Sequence, residues 1–450
     1  MKIAPVRSSD LFAGNRLDAR YFAAPAIRIK TVLRDASDVE LRAVNDYADV
    51  RAPARFKRAY AAPGEEYVSY LRPYDVFEFL PPEADRLSVK RTEDLDDYRI
   101  QAGDLLQTCS GRNLGPLTIA DEYLARFALS HDMVRVTIDD DTDRYYTLAV
   151  LQSPTGQALL RGDLNGSVID HITTDQVGAI EIPFVDSIRD EVARLMKEAV
   201  ETREASRIVL RDIVEHIDEK LPSAPERPFR DGWTVKASQL GTRLDAAFHA
   251  DHVAELRDHL RAAGGVLLGE VAEVIKPGGR PKLYYVGPEE GTPFLSGRQI
   301  LQLDVVGAKN ISSRSIDSDS GYGLGKGWIT FQADGRAEES LGYPSVVLEE
   351  RADWFASGHV GRAVPKDEGD TGWIWAAMAS GIVQQQIAAL ACGSVVDALY
   401  EGDLAGVVLP PREMVDSGGA QAAWNDLSAS VRKSDEAIAI VESTLRGFGI

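Results

Sequence analysis

Cysteine is nearly absent: the 450 residues hold two, Cys109 and Cys392. Two cysteines at that distance suggest neither a disulfide framework nor a zinc cluster. No run of about 18 apolar residues occurs, so no transmembrane helix is expected. The opening MKIAPVRSSD lacks the apolar core of a signal peptide, and a cytoplasmic protein is the simplest expectation. Positive charge is in short supply: 50 Lys and Arg face 70 Asp and Glu, a net charge of −20. Such acidity argues against unaided binding to a polyanion, because phosphate contacts draw on Lys and Arg. It leaves room for a local basic groove, or for positive surface lent by a partner.

Signatures of catalysis are missing too. The glycine run Gly321–Gly327 ends Gly-Lys-Gly, without the Ser or Thr and the spacing of a P-loop. There is no Gly-x-Ser-x-Gly elbow and no methyltransferase-like glycine loop. His249, His252 and His259 share a charged helical stretch, and no Cys or ordered carboxylate completes a metal site. The expectation is a non-catalytic chain without a metal or cofactor of its own.

What is present is a soluble composition, 44% hydrophobic and 27% charged, long enough for two or three domains. The chain also repeats itself. Arg16-Leu17-Asp18-Ala19 returns as Arg243-Leu244-Asp245-Ala246, 227 residues later. Each follows a Ser-x-Leu step and precedes an aromatic, Tyr21 or Phe248. Gly166-Ser167-Val168-Ile169-Asp170 returns as Gly393-Ser394-Val395-Val396-Asp397, and Ile182-Pro183 as Leu409-Pro410, at the same offset. Between these anchors Ser130 matches Ser357, Arg135 matches Arg362, Ser153 matches Ser380 and Gln157 matches Gln384. One short match is chance; one offset held over roughly 170 residues is a duplicated domain.

Both copies follow one plan. Short β-rich segments such as Met133–Ile138 are broken by Gly, Asp and Pro. A helical stretch follows, Tyr146–Leu160 or Trp373–Leu390. Then come the Gly-Ser element, an apolar strand ending at Pro183 or Pro410, and a long helix. The fold class is α+β. Its boundaries are a first domain over 1–183, a helix in 184–222, a linker over 223–232 with Pro222, Pro225 and Pro228 around it, a second domain over 233–410 and a second helix in 411–450.

The first long helix is expected to start near Ser187, where Ser187 and Asp190 form a candidate capping box. Its inward positions read Ile188, Val192, Leu195, Ala199, Thr202, Ser206, Val209 and Ile213, a heptad seam. The second reads Trp424, Leu427, Val431, Ser434, Ile438, Val441, Leu445 and Phe448. Either each helix packs on its own domain, or the two pack antiparallel on each other; two matched seams, one per repeat, favour the second. A helix of about 30 residues is about 45 Å long, against about 34 Å for a turn of B-DNA. Such a pair would act as a ruler between two domains.

Here a family resemblance emerges. The repeated Arg-Leu-Asp-Ala with its aromatic, Thr292-Pro293-Phe294-Leu295-Ser296-Gly297-Arg298, Ala102-Gly103-Asp104-Leu105-Leu106, and the Gly-Ser element before an apolar strand and Pro resemble specificity subunits of Type I restriction-modification systems. So does the alternation of domain and long helix, over nearly the whole chain. The resemblance implies two target-recognition domains, each reading half of a split double-stranded DNA site. It implies an antiparallel helix pair that docks two methyltransferase subunits, which carry S-adenosylmethionine, and that translocating nuclease subunits can join, as in phage defence. The copies depart from each other. The second has Gly327-Trp328-Ile329-Thr330-Phe331 in place of Gly-Asp-Leu-Leu, and the first has Tyr70-Leu71-Arg72-Pro73 in place of the Phe-Leu-Ser-Gly-Arg run. A self-palindromic target is therefore not expected.

Under that resemblance the candidate DNA contacts are local. Arg51, Arg55, Lys57 and Arg58, with Phe56 among them, form the densest basic cluster and suit phosphates and stacking, or else a solvated patch. Arg112 and Asn113 sit between two glycines; arginine reads guanine and asparagine adenine in the major groove, or the loop is a plain turn. Lys276, Arg280 and Lys282 flank a Pro-Gly-Gly loop, Arg298 and Gln299 follow Phe294-Leu295, and Lys326 stands in the glycine run, read as a flexible loop. The helix-pair interface is expected at Val192, Leu195, Val209, Ile213, Leu427, Val431, Ile438 and Val441. A structural adaptor that keeps the repeat fold without reading DNA is the alternative.

Overall fold

The computed structural model describes residues 25–81, 83, 85–110, 114–162, 171–221, 234–241, 243–279, 281–316, 321–336, 339–393 and 396–450. The first repeat runs α1 (Pro25–Arg34), β1 (Glu40–Ala43), β2 (Asp49–Arg51), β3 (Tyr67–Leu71), β4 (Arg86–Ser88), β5 (Leu105–Thr108), β6 (Leu117–Ile119), β7 (Ala128–Leu129) and β8 (Met133–Thr137). It continues with α2 (Asp141–Gln152), α3 (Pro154–Arg161), α4 (Thr174–Gly178), β9 (Glu181–Phe184) and the long α5 (Asp186–Lys220). The second runs α6 (Asp251–Ala262), β10 (Val266–Leu267), α7 (Leu268–Val271), β11 (Ala272–Ile275), β12 (Tyr285–Val286), β13 (Thr292–Leu295), β14 (Lys309–Ile311) and β15 (Ile329–Gln332). After β16 (Asp334–Gly335), β17 (Pro344–Val346), β18 (Phe355–Ala356) and β19 (Val360–Pro365) come α8 (Thr371–Ala379), α9 (Gly381–Leu390), β20 (Asp397–Ala398), α10 (Glu401–Ala405), β21 (Val408–Leu409) and the long α11 (Ser417–Gly447).

Two sheets of one design result. In the first repeat the order is β2-β8-β5-β6, in the second β11-β19-β15-β17, all antiparallel. A smaller sheet, β4-β3-β7, has its counterpart in β14-β13-β18, and each contains one parallel pair at the same place. The ribbon β1-β9 corresponds to β10-β21. Equal order with equal mixed pairing is the structural form of a duplicated domain.

Side chains repeat the match. Ser153 and Ser380 each break a helix pair, α2–α3 and α8–α9, and each returns its hydroxyl to the carbonyl three residues back, Val150 and Ala377. Gln157 donates to Gly115 O and Leu151 O; Gln384 donates to Gly342 O and Met378 O. Both glycines have positive φ, +114° and +75°. A Cβ at Gly115 would lie 2.5 Å from Gln157 Oε1, so the turn needs glycine on both counts. The Tyr146 hydroxyl donates to Pro183 O, and the Trp373 indole to Pro410 O. The offset is not constant throughout. Leu71 pairs with Leu129 where Leu295 pairs with Ala356, a shift of 224 on one strand and 227 on the other. The three extra residues fall between β15 and β17, where β16 is inserted.

The chain forms two compact units, and the long helices are shared between them. One unit takes residues up to Phe77, then Glu83–Glu204 and Ala429–Ile450; the other takes the remainder. The sequence boundaries gave each helix to neither domain. Instead each helix supplies core to both units. In the first unit Val192, Leu195, Met196 and Val200 of α5 share a core with Ala437, Val441 and Leu445 of α11, and Glu198 pairs with Lys433 at 2.8 Å. In the second, Gly419 of α11 lies against Ile213 of α5. Numbers rise on one helix as they fall on the other, so the pair is antiparallel.

The seam is partly shifted from its sequence reading. Val192, Leu195, Ile213, Leu427 and Val441 are buried. Val431 and Ile438 are half-buried. Val209 is 38% exposed, whereas Leu210 beside it is fully buried. An α-helix drifts by about 20° per heptad from a strict 3.5 repeat, and beyond Thr202 the buried face moves to Arg203, Ser206, Arg207, Leu210, Ile213 and Ile217. Each unit also caps a helix from the opposite long helix. Glu442 accepts from Thr155 N at the start of α3, and Asp218 accepts from Gly381 N at the start of α9.

Candidate nucleic-acid interface

The candidate interface is built on a buried arginine. Arg135 of β8 and Arg362 of β19 are 2% and 0% exposed. A guanidinium out of water must give its protons to acceptors. Arg135 donates to the carbonyls of Asp97, Tyr98 and Arg99. Arg362 donates to those of Tyr322, Gly323, Ala356 and Val360. Burial lowers both pKa values, that of Arg362 to about 10; Arg362 therefore stays charged at neutral pH.

Each arginine fixes a tyrosine, and each tyrosine fixes a loop. Arg135 holds Tyr98 O at 2.9 Å, and the Tyr98 hydroxyl donates to Ala54 O at 3.0 Å. Arg362 holds Tyr322 O at 2.9 Å, and the Tyr322 hydroxyl donates to Gly278 O at 2.9 Å and Gly279 O at 3.1 Å. The Tyr98 hydroxyl is pushed up in pKa, by burial first, and remains a neutral donor. The Arg–Tyr–loop relay thus occurs once per repeat, and each time it pins the backbone ahead of a basic segment. The glycine run read as a flexible loop is part of this relay: Tyr322 is 4% exposed, and Leu324 exchanges backbone hydrogen bonds with Asp353 and Trp354.

In the first repeat that segment is Arg55–Tyr60. Phe56 lies face to face with Tyr98, centroids 3.7 Å apart, and edge-on to Tyr70. Arg55, Lys57 and Arg58 stay exposed. The Arg58 guanidinium lies 5.1 Å from the centre of the Tyr70 ring, and its pKa is raised, chiefly by its hydrogen bond to Tyr60. Arg51 is already engaged, with Asp104 at 3.3 Å, Gln101 at 3.0 Å and Asp49 at 3.7 Å.

In the second repeat Lys282 is exposed, with its ammonium 5.1 Å from the Tyr284 ring. Lys276 is engaged by Asp334 at 2.9 Å and Leu399 O at 3.3 Å. Arg298 binds Glu78, a carboxylate 1% exposed, at 2.8 Å. Gln299 spends its amide on the turn, donating to Val306 O and accepting from Ser296. Lys326 pairs with Glu349 at 3.2 Å, both more than half exposed. Arg112, Asn113 and Arg280 lie outside the described residues, as do Arg16–Ala19 and Gly166–Asp170.

Sequence reasoning passed over the exposed tyrosines. Tyr60 and Tyr67 are 47% and 42% exposed, Tyr284 and Tyr285 47% and 54%. Arg86 stands 4.5 Å from the Tyr67 ring and Lys309 4.6 Å from that of Tyr285. A tyrosine every few residues among Lys and Arg was the available signal.

No family model matches the chain, and no curated protein matches it. Among solved structures it is similar to the S subunit of a Type I restriction-modification system from M. genitalium, at 15% identity over 93% of this chain and 95% of that one, with a TM-score of 0.29. It is similar also to the HsdS subunit from Thermoanaerobacter tengcongensis, at 13% identity, 91% and 92% coverage and a TM-score of 0.27. A third similar chain comes from a study of complex assembly and conformational transition of the Type I restriction-modification system, at 14% identity, 92% and 97% coverage and a TM-score of 0.27.

Proposed function

We propose that this chain is the DNA-reading specificity subunit of a Type I restriction-modification or related defence system. It reads a bipartite double-stranded target with its two repeats, docks methyltransferase subunits, and catalyses nothing itself. The observation that carries the reading is the pair of matched frameworks bearing unlike loops. A duplicated scaffold with divergent edges suits a ligand of two related but different halves. DNA split into two half-sites is such a ligand. The shared helices α5 and α11 suit a spacer that keeps the half-sites a fixed distance apart, and their outward faces suit partner subunits.

The acidity is met by local exposure. Arg55, Lys57, Arg58 and Lys282 are exposed and form no ion pair with a described residue, whereas Arg51, Lys276, Arg298 and Lys326 are each held by a carboxylate. A few contact cations on a chain of net charge −20 predict weak, strongly salt-dependent binding by the isolated subunit. Methyltransferase partners, carrying S-adenosylmethionine, would add basic surface and raise affinity. The test is to recover the chain with its native partners and assay methyl transfer to duplex DNA. Transfer that depends on both the chain and its partners supports the reading. Partners that methylate equally well without it, or a chain that binds no duplex at low salt, would leave the adaptor.

A further inference from the structure

The two repeats share one exposed element, although most of their loops have parted. Arg55-x-Lys57-x-x-Tyr60 recurs as Arg280-x-Lys282-x-x-Tyr285. The correspondence is fixed by register as well as spacing. Tyr60 bridges Leu87, which pairs with Val68 of β3; Tyr285 pairs with Ile311, which pairs with Thr292 of β13. Both segments follow a loop pinned by the buried Arg–Tyr relay. Arg280 itself is outside the described residues.

Two kinds of shared residue can be separated by burial. Arg135 and Arg362 are shared and buried; the fold needs them. Lys57, Lys282, Tyr60 and Tyr285 are shared and exposed, the two tyrosines at 47% and 54%. No core contact requires an aromatic at a position half in water. A feature kept on the surface of both copies matches a feature present in both ligand halves. If the halves differ in base sequence, what they have in common is the sugar–phosphate backbone.

Resting on the specificity-subunit reading, we propose that the matched pairs Lys57 with Tyr60 and Lys282 with Tyr285 form a duplicated backbone clamp. The lysines hold phosphates, the tyrosines pack on the adjoining sugars, and the element carries no sequence preference. Charge supports DNA as the occupant. In the first copy Arg58 lies over Tyr70 and Arg86 over Tyr67; in the second Lys309 lies over Tyr285 and Lys282 near Tyr284, and neither lysine is paired with a described carboxylate. An acidic pair on the following turn, Glu65-Glu66 or Glu289-Glu290, closes the basic strip in both copies. Glu65 is already bound by Arg91.

The experiment uses the full chain and a pool of random-sequence duplexes, read as affinity against salt and as the sequences selected. Lys57→Ala and Lys282→Ala should each lower the slope of log affinity against log salt by about 1. Tyr60→Ala and Tyr285→Ala should weaken binding about tenfold, while Tyr285→Phe should keep most of it. None should change the selected sequences. Selection that relaxes in one half-site would make the element a base reader and overturn the clamp. So would parental affinity and slope in all variants, including the case in which they lose only a co-purifying subunit, which would make the element a protein-docking surface. A parent that binds no duplex, or selects no sequence, fails earlier and refutes the specificity reading itself. Unchanged melting temperatures control for folding, since these side chains lie on the surface.

Discussion

The two repeats agree inside and differ outside. Their sheets have the same strand order, and both use a buried arginine, a tyrosine hydroxyl and a capped helix pair. Their surfaces part at the connection between β15 and β17, where the second repeat inserts β16, and around β13, where Arg298 is spent on Glu78. Burial separates the residues that serve the framework from the rest. A side chain shared and buried maintains the fold, and one shared and exposed is proposed to serve the ligand. Four of the cations singled out in the sequence, Arg51, Lys276, Arg298 and Lys326, are already paired with a carboxylate.

The largest expected effects test the framework. Arg135→Met and Arg362→Met each strand several buried carbonyls, and an unpaired buried acceptor costs about 1–3 kcal/mol. Each should remove about 3 kcal/mol or more in urea unfolding, by similar amounts; a harmless substitution in one repeat would break the equivalence. Next comes the helix pair. Leu195→Asp buries a charge in a shared core and should cost about 2–5 kcal/mol. Val209→Asp, though on the seam read from the sequence, should stay within about 0.5 kcal/mol. Equal losses would restore the strict heptad.

Smaller effects come from single hydroxyls and caps. Tyr98→Phe and Tyr322→Phe remove one hydroxyl each and should cost about 1 kcal/mol. Amide exchange should quicken in the loops at Ala54 and Gly278–Gly279, and DNA affinity should fall with it. Unaltered exchange would show that the hydroxyl does not hold the loop. Smallest are the caps: Glu442→Ala and Asp218→Ala should each cost about 1 kcal/mol, seen as a modest loss of melting temperature.

Much of the fold was legible because duplication writes the same constraint twice. Ser153/Ser380 and Gln157/Gln384 were visible as letters, and the structure gives them one job each, a helix break and a glycine turn. The long helices were legible from their periodicity; the second, expected within 411–450, runs over Ser417–Gly447. The exposure of Val209 was not, because a strict heptad ignores the drift of an untwisted helix. The commitments of Arg51, Lys276 and Arg298 were not, because their carboxylate partners lie 53, 58 and 220 residues away in sequence. The Arg-x-Lys-x-x-Tyr match was hidden by a local change of offset, to 225 between Tyr60 and Tyr285. Only strand register makes those two tyrosines equivalent.

In the proposed function, two copies of one domain read two different halves of one DNA target. Methylation mapped across a genome modified by the reconstituted complex should then reveal one bipartite motif with two unlike halves and a fixed gap. Arg58→Ala should lower yield at every site, and Arg112→Ala should relax one position in one half, a loss of about 1–3 kcal/mol of discrimination. A symmetric or continuous motif, or methylation without sequence preference, would contradict it.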